Sequence, residues 1–263
     1  MSKKTILMTG STDGIGLQAA KVLAAKGHEV ILHGRSAEKL ATIKTAHPEL
    51  AAAPSFIADL SDLKETAQMA EAIIAAHPSL DVLINNAGVF KAPVSKAPNG
   101  MDLRFVVNTL APYVLAQGLL PIIPKTGRIL NLSSAAQMPI DMKAMTGHTP
   151  LSESMAYAQS KLAITMWSAH MAAALPDGPA VIAVNPASLL GTKMVKEAYG
   201  SEGKDIRIGS DILVRLALEA EFADKSGQYY DNDRGRFGPP HADALDSQKI
   251  AAFMRELEAL LES

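Results

Sequence analysis

The sequence predicts an α/β fold, a mostly parallel, seven-stranded sheet with helices on both faces. Three observations carry this. Short apolar runs alternate with longer stretches of helical spacing along the chain. A glycine-rich turn, Gly10-Ser11-Thr12-Asp13-Gly14-Ile15-Gly16, joins the first apolar run to the first helical stretch. No Pro-, Gly- or Ser-rich linker and no internal repeat divides the 263 residues, which read as one domain over 1–263. Strands separated by helices of this length pair in parallel, because the crossover takes up the helix.

Taken in order, Thr5–Thr9, Glu29–His33, Pro54–Ala58, Asp81–Asn85, Gly127–Leu132 and Ala180–Asn185 read as buried strands. Between them Ile15–Ala25, Ala37–Ala46, Leu63–Ala76, Met101–Leu120 and Ser154–Leu175 carry helical spacing. Asp211–Ala220 reads as a further helix and Gln228–Tyr230 as the seventh strand. Ile250, Phe253, Met254, Leu257, Leu260 and Leu261 form one apolar stripe, so a terminal helix should dock on the body or on a second subunit. Trp167, Met166 and Met171 read as core or subunit interface rather than substrate contacts.

Composition narrows the function. The 25 basic and 27 acidic residues leave no broad electrostatic footprint for nucleic acid. With no cysteine, disulfides, thiolate catalysis and cysteine metal sites are excluded, and no metal is expected. The apolar run near Met1 is too short for a signal peptide, and no stretch of about 20 apolar residues suggests a span. The expectation is a soluble, cytoplasmic protein without a membrane partner.

Glycine in the turn after the first strand lets the backbone approach a pyrophosphate, which then meets the positive end of a helix. An ordinary strand–helix turn would look similar in isolation, but its place between strand and helix favours a dinucleotide. Tyr157 and Lys161 are four apart in Tyr157-Ala158-Gln159-Ser160-Lys161 and so lie one helical turn from each other. An ammonium that close to a phenol favours the phenolate and lowers a pKa ordinarily about 10. Such a tyrosine can exchange protons near neutral pH, as a reaction at a carbonyl or alcohol requires.

With its Gly-x-x-x-Gly-x-Gly spacing, the chain resembles the short-chain dehydrogenase/reductase family, and further motifs follow in order over roughly residues 5–235. Asp59-Leu60 resembles the family's adenine contact, and Asn85-Asn86-Ala87-Gly88 its cofactor-side motif. Asn108, Ser134, Tyr157 and Lys161 match its catalytic residues. The long gap from Ser134 to Tyr157 and the tail Gly227-Gln228-Tyr229-Tyr230-Asp231 resemble retinol-dehydrogenase-like bacterial oxidoreductases. The resemblance implies a doubly wound Rossmann fold. It implies hydride transfer with a nicotinamide cofactor, with Tyr157 as general acid in carbonyl reduction and general base in alcohol oxidation. Lys161 would favour the phenolate and bind the nicotinamide ribose. Ser134 would hold the substrate oxygen, and Asn108 a water that relays protons. Ser133 competes with Ser134 for the pocket, and Asn108 could instead cap or kink its helix. A homodimer or homotetramer through the helices Met101–Leu120 and Ser154–Leu175 is likewise implied by the family.

Three departures stand out. The insert Ala135–Ala156 reads as an apolar flap over the substrate, or as a surface excursion. Asn185-Pro186-Ala187-Ser188 has alanine where the family usually has glycine, and alanine disfavours positive φ, so the backbone there should differ slightly. Thr192 resembles the carboxamide-binding threonine one residue late, with Pro186 and Leu189 beside the cofactor and Leu189–Ile208 as a mobile substrate loop, within a segment of about 187–208.

For the cofactor, the second strand ends in His33-Gly34-Arg35-Ser36, without the carboxylate that binds a ribose 2′-hydroxyl about 20 positions past a glycine loop. Arg35 and Ser36 suit a 2′-phosphate, favouring NADP(H) over NAD(H), although Arg35 could be a solvated strand-end residue and Asp13 would repel a phosphate. The expected activity is a carbonyl reductase or alcohol dehydrogenase on a hydrophobic ketone, aldehyde or secondary alcohol. The alternative is a non-catalytic dinucleotide-binding regulator or scaffold.

Overall fold

A computed structural model describes residues 2–262, apart from the side chain of Tyr199. The first half alternates β1 (Thr5–Met8), α1 (Gly14–Ala25), β2 (Glu29–Gly34), α2 (Ala37–Ala46), β3 (Ser55–Ile57), α3 (Leu63–Ala76) and β4 (Val82–Asn85). There follow α4 (Leu103–Phe105), α5 (Ala111–Leu119), β5 (Arg128–Leu132), α6 (Met142–Met145), α7 (Glu153–Ala174) and β6 (Ala180–Asn185). The chain continues through α8 (Lys193–Tyr199), α9 (Arg207–Leu218), β7 (Tyr229–Asp231), β8 (Arg236–Gly238) and α10 (Ser247–Glu262).

One sheet runs in the order β3-β2-β1-β4-β5-β6-β7-β8. Every pair is parallel except β7 with β8, which is antiparallel. There are thus eight strands where the sequence predicts seven. The extra one, Arg236-Phe237-Gly238, returns as a hairpin from Asp231 and is too short to show a period. Alternate strand residues face opposite sides of a sheet, and each side has its own core. Leu7, Leu83, Ile129 and Val181 pack with α3, α5 and α7. Ile6, Met8, Ile84, Leu130 and Val184 pack with α1 and α9. The strand order reverses between β1 and β4, and the carboxyl ends of those strands open a crevice there.

The helix predicted over Met101–Leu120 is interrupted. A π turn, Val106–Leu110, separates α4 from α5, and the Ala111 N–H bonds to the Val106 carbonyl. Pro112 supplies the cause: it has no N–H, so the α-helical bond to the Asn108 carbonyl four residues back cannot form. The run Leu103–Ile122 is long and apolar enough to cross a membrane, but about two-thirds of it is buried inside the protein.

Helix α10 docks on the body. Its Phe253, Met254 and Leu257 join the cluster that contains Trp167, Met166 and Met171, and Tyr113 Oη of α5 donates to Glu258 Oε1 at 3.1 Å. These are core positions. The helices expected to form a subunit contact are therefore overlaid in part by the chain's own C-terminal helix.

Candidate active site

The glycine loop leaves β1 and is tied to the end of β4. Asn86 Nδ2 donates to the carbonyls of Thr9 (2.9 Å) and Gly10 (3.2 Å), and Thr9 Oγ1 accepts from the N–H groups of Asn86 and Ala87. Gly10 has φ +63°, and a Cβ there would come within 2.9 Å of Ala87 Cα. A Cβ on Gly16 would run into Asn86 Nδ2 and the Gly10 carbonyl. Both positions need glycine for conformation or close approach. Asp13 caps α1 by accepting from the Gly14 N–H, so the helix's positive end opens beside Gly14 and Ile15. Ser11 Oγ accepts from the His33 N–H at 2.9 Å, which leaves Ser11 bracing the loop, while Thr12 packs its methyl toward Gly34.

His33, at the end of an apolar strand, bridges three strands. Its Nδ1 accepts from the Gly10 N–H (3.1 Å) and its Nε2 donates to the Ala58 carbonyl (3.1 Å), joining β1, β2 and β3 at the cofactor end. Burial holds its pKa below the ordinary 6.5, against the raising effects of the Ala58 carbonyl and Asp59. An apolar-strand histidine carries no sequence signal for that bridge. Beside it, Leu60 is buried in the core, and Asp59 Oδ1 accepts from the Ser61 N–H at 2.9 Å.

Arg35 and Ser36 lie exposed at the end of β2, with Ser36 Oγ capping α2 through the Lys39 N–H. Lys39 carries no local sequence signal either. Its Nζ lies 3.3 Å from Asp13 Oδ2, so the carboxylate that would repel a phosphate faces a cation. Arg35 and Lys39 fit a ribose with a 2′-phosphate, and the residues of the loop fit a dinucleotide backbone.

At the other end of the crevice, Tyr157 and Lys161 stand on α7, with Lys161 Nζ 5.6 Å from the tyrosine ring centroid. Lys161 is buried and donates to the carbonyl of Leu132, the last residue of β5, at 2.6 Å. Burial lowers its pKa to about 7. Gly88 is the near wall: a Cβ on it would lie 3.6 Å from Lys161 Nζ and 3.3 Å from Asn108 Oδ1. The Asn108 side chain is fully used, accepting from the Val89 N–H and donating to the Val89 carbonyl and Ser160 Oγ.

The two serines after β5 separate cleanly. Ser133 Oγ is buried, 2.9 Å from the Lys161 carbonyl oxygen and 2.6 Å from Thr165 Oγ1. Ser134 is half-buried, its Oγ accepting from the Ala136 N–H, and its carbonyl receives Tyr229 Oη and Gln137 Nε2, both at 2.9 Å. Phe90 meets the Tyr157 ring edge-on with centroids 4.9 Å apart. The buried Arg104 holds the Phe90 carbonyl (2.9 Å) and Glu153 in the first turn of α7 (2.8 Å), a brace with no local sequence signal.

The insert Ala135–Ala156 is anchored along its length. Met138 N–H donates to the Ala158 carbonyl, Asp141 N–H to Gln159 Oε1, and Met145 is fully buried. Met138 is exposed beside the tyrosine's turn of α7. After β6, Ala187 holds φ +108° and Leu189 +57°, so the alanine takes up the positive φ it disfavours. Thr192 caps α8 and brings its methyl within 3.7 Å of where a Gly14 Cβ would stand.

Comparisons with known proteins place the whole chain rather than single residues. The profile of the short chain dehydrogenase family matches residues 4–203. Human retinol dehydrogenase 13 is 32% identical over 264 residues, covering 91% of this chain and 80% of its own length. The short-chain dehydrogenase chry4 of Gibberella zeae is 31% identical, covering 97% and 96%. Among solved structures, a short-chain dehydrogenase of Burkholderia cenocepacia in complex with NADP superposes with a TM-score of 0.67 at 27% identity, covering 87% of this chain and 95% of that one. The family profile over residues 4–203 and relatives matched over more than nine-tenths of the chain lead to one assignment: the chain belongs to the short-chain dehydrogenase/reductase family and is an NAD(P)-dependent oxidoreductase.

Proposed function

We propose that this enzyme uses NADP(H) to interconvert an apolar ketone or aldehyde and its alcohol, with Tyr157 managing the proton. The observation that carries the proposal is the buried Lys161 one helical turn from Tyr157, facing Gly88 and Asn108 across the crevice. When bound, the nicotinamide supplies the hydride acceptor or donor. Tyr157 Oη gives a proton to the carbonyl oxygen in reduction and takes it from the hydroxyl in oxidation. Lys161, when charged, favours the phenolate and offers N–H groups to a ribose. Ser134 Oγ steadies charge developing on the substrate oxygen, while Ser133 stays fixed to α7. Asn108 acts through its main chain: its side chain is committed to Val89 and Ser160, and Pro112 has no N–H to offer its carbonyl. That carbonyl suits a water linking Lys161 to solvent.

Support for NADP(H) comes from Arg35 and Lys39, from the carboxylate of Asp13 facing Lys39, and from the NADP held by the Burkholderia relative. Phe90 packed on the Tyr157 ring and the exposed Met138 and Leu189 favour a hydrophobic substrate, and the name of human retinol dehydrogenase 13 points to the same class. The test is to follow oxidation of NADPH and NADH by absorbance against aliphatic, aromatic and polyene ketones and aldehydes. Turnover with NADPH and apolar carbonyls is expected. No turnover with any carbonyl or alcohol, or a clear preference for NADH, overturns the proposal.

A further inference from the structure

The hairpin turn between β7 and β8 reaches both feet of the substrate loop. Asp233 accepts from the Ser188 N–H at 2.9 and 3.1 Å and from Ser188 Oγ at 2.5 Å, and it stands 3.7 Å from Lys204 Nζ. Asn232 Nδ2 donates to the carbonyls of Pro186 and Ile208, both at 3.0 Å. Asn185, the last residue of β6, donates to Asp231 and Asp233 and accepts from the Ala187 N–H at 3.3 Å. Leu189 and Gly191 are zipped to Lys204 by two backbone bonds of 2.7 Å, closing the loop above its feet.

At the centre of these bonds is Ala187, whose φ of +108° is costly for a residue with a Cβ. Strain of this kind persists only where the surroundings over-determine it. Here the groups on either side, Asn185, Pro186 and Ser188, are all held by Asn232 and Asp233.

From this arrangement we infer that Asn232 and Asp233 are positioning residues, which impose the left-handed backbone at Ala187 and thereby set the Pro186–Leu189 segment and the closure of the loop over the cofactor. They touch neither reacting group. Their effect passes through the backbone, so glycine at position 187, which adopts positive φ without strain, makes them largely dispensable. The catalytic part of this rests on the proposed function; the structural part does not.

The test uses the full chain as wild type, Asp233→Ala, Ser188→Ala, Ala187→Gly and the double variant Asp233→Ala/Ala187→Gly. Hydrogen exchange without cofactor reads the loop through amides whose acceptors are left intact: Gly191 and Lys204 should exchange at least about tenfold faster in Asp233→Ala, and the double variant should recover their protection. In steady-state kinetics, Asp233→Ala should lose about tenfold to a hundredfold in kcat/KM for NADPH. The double variant should lose at least about threefold less relative to Ala187→Gly alone. Ser188→Ala, which removes one hydroxyl, should fall between the wild type and Asp233→Ala. Unchanged exchange at Gly191 and Lys204, or an equal loss in both backgrounds, overturns the inference. An absence of dinucleotide binding by wild type would overturn the proposed function instead, and the exchange result would still decide the clasp.

Discussion

Replacing Lys161 by methionine tests the electrostatics of the site most directly. The ammonium is buried and donates to the Leu132 carbonyl, and burial brings its pKa from 10.5 to about 7. At 1.36 kcal/mol for each tenfold change, this corresponds to roughly 5 kcal/mol disfavouring the charged form, a ceiling that water entering the crevice would lower. The folded pKa lies below the unfolded one. Between about pH 7 and pH 10.5 the unfolded chain therefore holds a proton that the folded chain has released, and stability without cofactor rises with pH. The gain is lost as pH falls through 7. From pH 7 to pH 9 the rise should approach about 2–3 kcal/mol in the wild type and be absent in Lys161→Met, with other titrating groups cancelling in the difference. Urea unfolding of both proteins at several pH values measures it. A wild-type-minus-variant difference that does not change between pH 7 and pH 9 would show that Lys161 keeps its charge in the folded chain. The same reasoning gives a binding signature: at pH 8 to 9, NADPH should take up a proton on binding to wild type and none on binding to Lys161→Met, seen by calorimetry in buffers of different ionisation heat.

Tyr157→Phe should lose about 10² to 10⁴ in turnover while keeping its NADPH affinity; retention of more than half the wild-type rate at pH 7 would remove Tyr157 from the proposed role. Gly16→Ala forces a Cβ into Asn86 and the Gly10 carbonyl, so fluorescence titration should show dinucleotide affinity reduced more than about tenfold in a protein that still folds. Protonation of His33 removes the acceptor of the Gly10 N–H. Its folded pKa lies below 6.5, so NADPH should bind normally above pH 6.5 and more weakly once pH falls through the lowered pKa of His33; affinity unchanged at a pH where NMR shows the His33 ring protonated would falsify the bridge's role. Arg35→Asp should lower kcat/KM for NADPH by roughly ten- to a hundredfold and spare NADH, whereas an unaltered cofactor ratio would make Arg35 a solvated strand-end residue.

How legible each part was depends on whether its cause is local. Strands β1, β4, β5 and β6 are mostly apolar and buried on both faces, and such runs stand out in a sequence. The glycine loop and the pair Tyr157 and Lys161 were readable because turn geometry and helix period fix their spacing. Three-residue β8 has no period to read. The π turn has its cause in Pro112, four residues past Asn108, and a helical stripe alone does not register it. His33 and Lys39 gain their interest from partners in other elements, Gly10, Ala58 and Asp13, which no local pattern connects. Strand alternation puts only one of Ser133 and Ser134 into the pocket, and the contacts of Ser133 with Lys161 and Thr165 show which one faces α7. The positive φ at Ala187 runs against its residue type because the bonds that support it come from a hairpin more than forty residues later in the chain.

Trp167 gives the molecule a built-in optical probe. It is the chain's single tryptophan, fully buried on α7, with its ring edge-on to Tyr113 at 5.6 Å. Tyr113 in turn holds Glu258 of α10. Its emission therefore registers whether the C-terminal helix is seated on α5 and α7, a segment remote from the glycine loop. Detachment of that helix would redden the emission before the sheet opens, so intrinsic fluorescence and far-ultraviolet circular dichroism would follow different events during unfolding.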